Sequence, residues 1–277
     1  MRLAAALAGI LTWVTAAIAS AATAPAPEPV EIPHGDMTLK AVLYRPDGSG
    51  PFPVVVGLHG CEGLDDGAGE VNPTYHEWAQ HLVKAGFAVL YPDSYGSRGL
   101  GSQCNVRNRP SRVQSERVAD ANAARHWLQN QPWAVAGRIS LLGWSSGAVS
   151  ALWAVRPHKL AKEDSADFRS AVALYPGCRR LDATAWSARV PTLILAAGAD
   201  DWSPVSYCEH MVAGARGRSA RASIVVYPGA YQNFDHPNRT VSTGGGYALS
   251  SEDSSKIHSD QSARADALKR VPQWLAR

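Results

Sequence analysis

The sequence predicts an α/β fold in which helices flank a central, mostly parallel β-sheet within a single domain. Two observations support this: six nearly continuous apolar runs, and helical patterns that lie between them. Strands of parallel sheets are buried on both faces and are therefore apolar throughout. Strands that alternate with helices form βαβ units. The six predicted strands are residues 54–58, 87–91, 139–143, 171–175, 192–197 and 223–227.

Three helices are predicted from apolar residues that recur every three or four positions. The clearest places Tyr75, Trp78, Ala79, Leu82 and Val83 on one face. Gly86 is expected to end this helix, since glycine is common just after a helix. The other two helices cover residues 118–128 and 268–275, and Pro272 must kink the second or start a new turn. Residues 30–46 predict a hairpin of edge strands instead.

The N-terminus has the three parts of a secretory signal peptide: Arg2, an apolar stretch over residues 3–19, and a small-x-small cleavage motif at residues 19–21. A transmembrane anchor is the alternative, but the stretch is short for a bilayer and contains Thr12 and Thr15. We expect a signal peptide over 1–21, a Pro/Ala-rich leader over 22–29 and one domain over 30–277. The mature protein is then periplasmic or secreted and has no membrane segment.

Charge gives no indication of a nucleic-acid partner. The 27 basic and 24 acidic side chains leave a net charge of +3 and form no basic block. None of the nine histidines falls in a cluster with the spacing of metal ligands, so we predict no metal. The expected partner is a small-molecule substrate.

A candidate nucleophile lies between the strand at 139–143 and the helix that follows it. Gly143-Trp144-Ser145-Ser146-Gly147 matches the G-x-S-x-G pattern, which holds a serine on a strained turn between strand and helix. The two glycines allow the strand and helix to approach closely. The backbone N–H of Ser146, at the start of the helix, is a candidate oxyanion donor.

The chain resembles the dienelactone hydrolase family of the α/β-hydrolase fold. The resemblance rests on the segments LHGCEGL, GFAVLYPDSYGSRG, RISLLGWSSG, PTLILAAGADDWSP and VVYPGAYQNFD. It implies that the N–H of Cys61 is the second oxyanion donor and that His59 is structural. Dienelactone hydrolases proper use a cysteine nucleophile, so Ser145 favours a plainer carboxylic ester as substrate.

The resemblance places the catalytic acid after the strand at 192–197, because triads of this fold follow the order Ser, acid, His. Asp200 and Asp201 both lie there. In the family the acid commonly precedes a proline by four residues, which selects Asp200 ahead of Pro204. Asp201 is the alternative acid, or it caps the next helix.

The base is the main departure from the family. The resembling motif, Y-P-G-A-x-H-x-F, has histidine where this chain has Gln232, and an amide is not a base near neutral pH. We favour His236 as the base, since a helical turn over 232–235 would place it about 5–6 Å from Gln232 on the same face. In a second alternative the site has no base, and in a third His258 enters through the long segment 238–255.

The four cysteines are widely spaced, and export favours disulfides among them. Three pairings are compatible with the sequence alone. On the fold that the resemblance implies, Cys178 and Cys208 follow neighbouring strands, so Cys178–Cys208 is our first choice. Cys61–Cys104 would then connect the oxyanion loop to the long loop at 93–111.

These residues predict a serine hydrolase that cleaves a small ester or lactone through an acyl-enzyme and needs no cofactor. Trp202 and Gln232 are expected to line its pocket, and Arg98 either meets a substrate carboxylate or forms a structural salt bridge. The alternative is a catalytically impaired hydrolase fold that binds a small molecule or a partner. A third alternative is a peptidase or depolymerase that acts on extracellular polymers.

Overall fold

The central β-sheet contains eight strands in a computed structural model that describes residues 26–157, 166–219, 221–237 and 260–277. In chain order the strands are β1 (Glu28–His34), β2 (Met37–Tyr44), β3 (Phe52–Leu58), β4 (Ala88–Pro92), β5 (Ala134–Trp144), β6 (Ala171–Leu174), β7 (Thr192–Ala197) and β8 (Ala222–Tyr227). Their spatial order is β1-β2-β4-β3-β5-β6-β7-β8. β1 pairs with β2, and β2 with β4, in antiparallel fashion, while all other pairs are parallel. The predicted fold class and the predicted edge hairpin are both confirmed.

In the described ranges, six α-helices cover the two faces of this sheet: α1 (Pro73–Lys84), α2 (Glu116–Gln129), α3 (Ser146–Ala154), α4 (Arg179–Asp182), α5 (Val205–Ala215) and α6 (Gln261–Leu275). Helices α2, α3 and α5 contribute to one apolar core, together with Val54 and Val56 of β3. Helices α1 and α6 contribute to the other, together with Val55. Successive residues of β3 therefore face opposite cores, which is why the strand is apolar throughout.

Local sequence accounts for the ends of α1 and α6. The Asn72 side chain accepts a hydrogen bond from the N–H of Thr74 at 3.0 Å, and Pro73 occupies the first helical position, where it suits the backbone. Gly86 follows α1 with φ +88°, as predicted for the residue that ends the helix. The Asp260 side chain caps α6, which continues through Pro272 as one helix instead of restarting.

Several predicted boundaries differ from those of the structure. β1 begins at Glu28, two residues before the predicted domain start. β5 begins at Ala134, five residues before the predicted strand. The prediction missed this first part because residues 136–138 are exposed and do not continue the apolar run. The predicted signal peptide, the first half of the leader, His258 and the segment 238–255 lie outside the described residues. Across the part of the chain that is described, no helix has the length and apolar character to cross a bilayer.

A buried carboxylate, that of Asp235, connects the chain after β8 to three other elements. Its Oδ2 accepts hydrogen bonds from Trp78 Nε1 of α1 at 2.7 Å and from Trp144 Nε1 of β5 at 2.9 Å. Its Oδ1 accepts one from the Tyr175 hydroxyl at 2.8 Å. Burial raises the pKa of Asp235, and the three donors oppose that rise. Asp235 therefore positions residues 232–236 against the sheet.

We predict that Asp235→Ala lowers the free energy of unfolding by about 3–5 kcal/mol, because it leaves three buried donors without their acceptor. Urea unfolding followed by tryptophan fluorescence measures the change. Asp36→Ala, at an exposed turn residue, is the control and should shift the value by less than about 0.5 kcal/mol. Equal losses in the two variants would contradict the anchoring role of Asp235.

Candidate functional site

Ser145 lies on a strained turn between β5 and α3. Its backbone has φ 48° and ψ −114°, an unfavourable conformation for a residue with a side chain. Two backbone hydrogen bonds hold the turn: Ser145 N–H donates to Leu174 O at 3.0 Å, and Val149 N–H donates to Ser145 O at 3.1 Å. A strained turn of this kind makes the serine side chain project from the end of the sheet, as a nucleophile requires.

Both glycines of the G-x-S-x-G pattern are required by close backbone contacts. A Cβ on Gly143 would lie 2.5 Å from Gly147 O, and a Cβ on Gly147 would lie 1.9 Å from Leu58 O. These distances are far below van der Waals contact, so only glycine fits at either position. The start of α3 consequently packs directly on the end of β3, and Ser145 comes close to the loop that carries Cys61.

The two predicted oxyanion donors belong to these adjoining segments. The Ser146 N–H lies in the first turn of α3, where backbone donors have no partner inside the helix. Cys61 follows the His59-Gly60 turn and lines the same cavity as Ser145. The buried Arg117 connects the segments, since its guanidinium donates to His59 O at 2.5 Å and to Ser146 Oγ at 3.1 Å. Burial and the charge of Arg117 lower the pKa of His59 well below its usual value, consistent with a neutral structural histidine.

Both disulfides predicted from the resemblance are present, Cys61–Cys104 and Cys178–Cys208. The first joins the loop after β3, which carries Cys61, to the long loop after β4, and a Gln103 N–H bond to Cys61 O at 2.7 Å reinforces this connection. Cys61, Cys104 and Glu62 are also the one group of three closely spaced potential metal ligands in the described residues. The two sulfurs are bonded to each other, so neither is a thiolate that could bind a metal.

In the described residues, hydrogen bonds reach only one of the two carboxylate oxygens of Asp200. Its Oδ1 accepts from the backbone N–H groups of Trp202 at 2.9 Å and Ser203 at 3.0 Å. Its Oδ2 is buried and has no hydrogen-bond partner among the described residues. Burial raises the pKa of Asp200 to about 6, although the two N–H donors lower it. An Ala199 N–H bond to Ala230 O at 2.9 Å fixes this loop to the one that carries Gln232.

The Gln232 side chain lies next to Ser145, the predicted nucleophile. Its Nε2 donates a hydrogen bond to Ser145 Oγ at 2.7 Å. A general base must accept the serine proton, whereas this amide nitrogen donates one. The contact therefore orients Ser145 without activating it.

His236 lines the same cavity as Ser145 and Gln232. The expected helical turn over 232–235 is only partly formed: His236 N–H donates to Asn233 O at 3.0 Å, but Asn233 has φ 62°. That left-handed residue interrupts the helical geometry, so the same-face spacing used to place His236 does not apply.

The cavity at Ser145 has a volume of about 70 Å³. Trp202 and Gln232 both line it. Sequence reasoning missed Glu62, Asn72, Thr74, Tyr75, Tyr175 and Asn233, which complete the lining together with Cys104. Glu62 could have been found, because it directly follows Cys61, the predicted oxyanion donor.

Two alternatives from the sequence have clear outcomes. Arg98 forms a bidentate salt bridge with the buried Asp120 at 2.7 and 2.9 Å, which makes it structural. Asp201 does not cap the following helix, since α5 begins at Val205 with Pro204 as its N-terminal neighbour. The expectation that Asp201 caps this helix was wrong, because α5 begins four residues after Asp201.

The dienelactone hydrolase family model matches residues 39–277. The chain belongs to the dienelactone hydrolase family. This confirms the resemblance inferred from the sequence, and the solved structures described next confirm its α/β-hydrolase fold.

Individual relatives of this family member are distant. A protein of Methylorubrum extorquens named "Putative carboxymethylenebutenolidase" is 25% identical over 216 residues, which are 74% of this chain and 71% of the relative. A dienelactone hydrolase-like promiscuous phosphotriesterase from metagenomic libraries has a TM-score of 0.71 at 17% identity, over 92% of this chain and 98% of its own. A dienelactone hydrolase from Anabaena variabilis has a TM-score of 0.61 at 16% identity, over 92% and 98%. Membership of this family supports an ester or lactone hydrolase.

The raised pKa of Asp200 predicts a pH effect on stability. The folded protein binds this proton more tightly than the unfolded chain, so the stabilisation is complete below about pH 3.8 and is lost as the pH rises through about 6. We expect Asp200→Asn to remove about 3 kcal/mol of this pH dependence. Urea unfolding at a series of pH values measures it. Asp36→Asn, at an exposed turn residue, is the control and should retain the wild-type profile, whereas identical profiles for Asp200→Asn and wild type would disprove the effect.

Proposed function

We propose that this family member cleaves a small carboxylic ester or lactone through an acyl-enzyme on Ser145. The observation that carries the proposal is the strained Ser145 turn, whose Oγ lies in a cavity beside the first turn of α3. The volume of about 70 Å³ is well below that of sites for drug-sized ligands, which favours a short acyl group. No cofactor takes part in this chemistry.

In this mechanism Ser145 Oγ attacks the carbonyl carbon, and the N–H groups of Cys61 and Ser146 stabilise the oxyanion. His236 accepts the serine proton and returns it to the leaving alcohol oxygen. Water then attacks the acyl-enzyme by the same steps in reverse, releasing the acid and restoring Ser145. Asp200 is the acid of the site, and the Gln232 amide holds Oγ in position through its hydrogen bond.

One observation favours a second candidate, a catalytically impaired hydrolase fold that binds a small molecule. The Gln232 amide stands 2.7 Å from Ser145 Oγ, where a base would have to accept the proton. On this alternative an activated ester acylates Ser145 once, and the acyl-enzyme persists because no base activates water.

Export is the remaining part of the proposal. Two disulfides are typical of proteins from oxidising compartments. Together with the proposed signal peptide over residues 1–21, they support a periplasmic or secreted enzyme that acts on a soluble small molecule.

Hydrolysis of p-nitrophenyl acetate by the mature protein tests the mechanism. We expect Ser145→Ala to reduce kcat/KM by about 10³-fold or more, because it removes the nucleophile. His236→Ala should reduce it by about 10²–10⁴-fold, because it removes the base. His210→Ala, an exposed histidine on α5 outside the cavity, is the matched control and should leave kcat/KM unchanged.

Gln232→His separates the two candidates. If the wild type releases only a stoichiometric burst of p-nitrophenol and Gln232→His turns over, the base has been lost and the impaired alternative is correct. The unpaired Oδ2 of Asp200 would suit the second ring nitrogen of such a histidine. Steady wild-type turnover that disappears in His236→Ala supports the proposed enzyme.

A further inference from the structure

Arg117 is a fully buried cation on α2 that the proposed mechanism does not use. Its guanidinium donates hydrogen bonds to His59 O at 2.5 Å and to Ser146 Oγ at 3.1 Å, and it lies 5.0 Å from the centre of the Tyr95 ring. Among the described residues it forms no ion pair with a carboxylate, and its Nε has no hydrogen-bond partner. An arginine is rarely buried in this way, because removing an unpaired charge from water is unfavourable.

The two acceptors of Arg117 belong to the segments that carry the predicted oxyanion donors. His59 comes two residues before Cys61 in the loop after β3, and Ser146 is itself the donor at the start of α3. Both segments are therefore bound to one guanidinium. Because a guanidinium is planar and its N–H groups have fixed directions, it fixes the distance between the two segments.

The hydrogen bonds around Cys61 determine the direction of its N–H. His59 Nδ1 lies 2.8 Å from Gly60 O, so this ring nitrogen carries a proton and donates it to the carbonyl. Gly60 O and Cys61 N–H belong to one trans peptide and point in opposite directions. Cys61 O accepts from Gln103 N–H at 2.7 Å, whereas the Cys61 N–H has no acceptor among the described residues. A backbone donor without an acceptor, in a residue that lines the Ser145 cavity, is what an oxyanion hole requires.

The charge of Arg117 acts on the groups around this donor. Burial lowers the pKa of His59 and Arg117 lowers it further, so His59 stays neutral while it holds Gly60 O. Burial and Glu62 raise the pKa of Tyr75, a residue of the cavity wall. The Gly60 N–H bond and the charge of Arg117 both oppose that rise. A positive charge that favours the anionic form of this hydroxyl also favours an oxyanion formed in the same cavity.

Resting on the proposed ester hydrolysis, we propose that Arg117 is a positioning residue of the oxyanion hole and that its buried charge stabilises the oxyanion. Its two hydrogen bonds hold the N–H groups of Cys61 and Ser146 toward one point beside Ser145 Oγ. Arg117 does not touch the substrate, because it acts through these two backbone donors. The stabilisation grows as negative charge develops on the carbonyl oxygen, so it speeds acylation and leaves the binding of a neutral ester unchanged.

The burst of p-nitrophenol from p-nitrophenyl acetate tests this role, because Ser145 is acylated once under both candidates for the proposed function. Stopped-flow traces over a range of ester concentrations give the acylation rate constant and the dissociation constant of the ester separately. We expect Arg117→Met to lower the rate constant by about 10–10²-fold with little change in the dissociation constant. Arg117→Lys keeps the charge but not the planar fork, and should lower the rate constant by about 3–10-fold.

Arg125→Met is the matched control. Arg125 is also buried on α2, where it donates to Ala166 O and lies 5.3 Å from the centre of the Phe168 ring, outside the cavity. This variant should lose stability in urea, as Arg117→Met does, but retain the wild-type acylation rate constant. Equal losses of acylation rate in the two variants would show a structural role alone and overturn the inference. If Arg117→Met does not fold, Arg117→Lys decides, and an unchanged acylation rate constant in that variant overturns the inference.

Ethaneboronic acid tests the same role without an ester. Ser145 Oγ bonds to boron, the hydroxyl proton is released to water, and boron becomes a tetrahedral anion with an oxygen in the oxyanion hole. We expect Arg117→Met to weaken this binding by about 10-fold or more and Arg125→Met to leave it unchanged, as measured by tryptophan fluorescence.

The two measurements distinguish failure of the proposed function from failure of the role of Arg117. If the wild type is not acylated but the boronic acid affinities differ as expected, the proposed function fails and the role of Arg117 stands. If the ester acylates the wild type and every variant at the same rate, acylation of Ser145 stands and the role of Arg117 fails. If the wild type is neither acylated nor bound by the boronic acid, both fail.

Discussion

The hydrogen bonds to the buried Asp235 carboxylate are the constraint on which the geometry of the site depends. Trp78, Trp144 and Tyr175 reach this one side chain from α1, from the end of β5 and from the residue after β6. Trp144 directly precedes Ser145, so the nucleophile turn and the loop after β8 are held to a common point. Moving that loop would break three buried hydrogen bonds, which is why Gln232 stays against Ser145.

Burial is the largest influence on the pKa values of the buried groups around the site. Burial raises the pKa of Asp200 and of Asp235, and Glu62 contributes to the raised pKa of Tyr75. The buried Arg117 guanidinium connects the loop after β3 to α3 through its hydrogen bonds to His59 O and Ser146 Oγ.

Much of the fold and part of the site could be predicted from the sequence. The central strands were predicted to within a few residues because strands buried on both faces are apolar throughout. The nucleophile segment was recognisable because close packing at Gly143 and Gly147 excludes every other residue. β5 was predicted too short because its first part is exposed and has no apolar pattern.

The sequence by itself determined the strand order along the chain, the strained turn at Ser145 and the absence of histidine at position 232, since these follow from local patterns. Tertiary structure decided what surrounds them. The left-handed Asn233 and the positions of His236 and Glu62 in the cavity lining depend on contacts between residues that are far apart in the chain. The physical reason is that hydrogen bonds such as those of Asp235 to Trp78 and Trp144 form only after the sheet and helices have packed, and no local pattern encodes them.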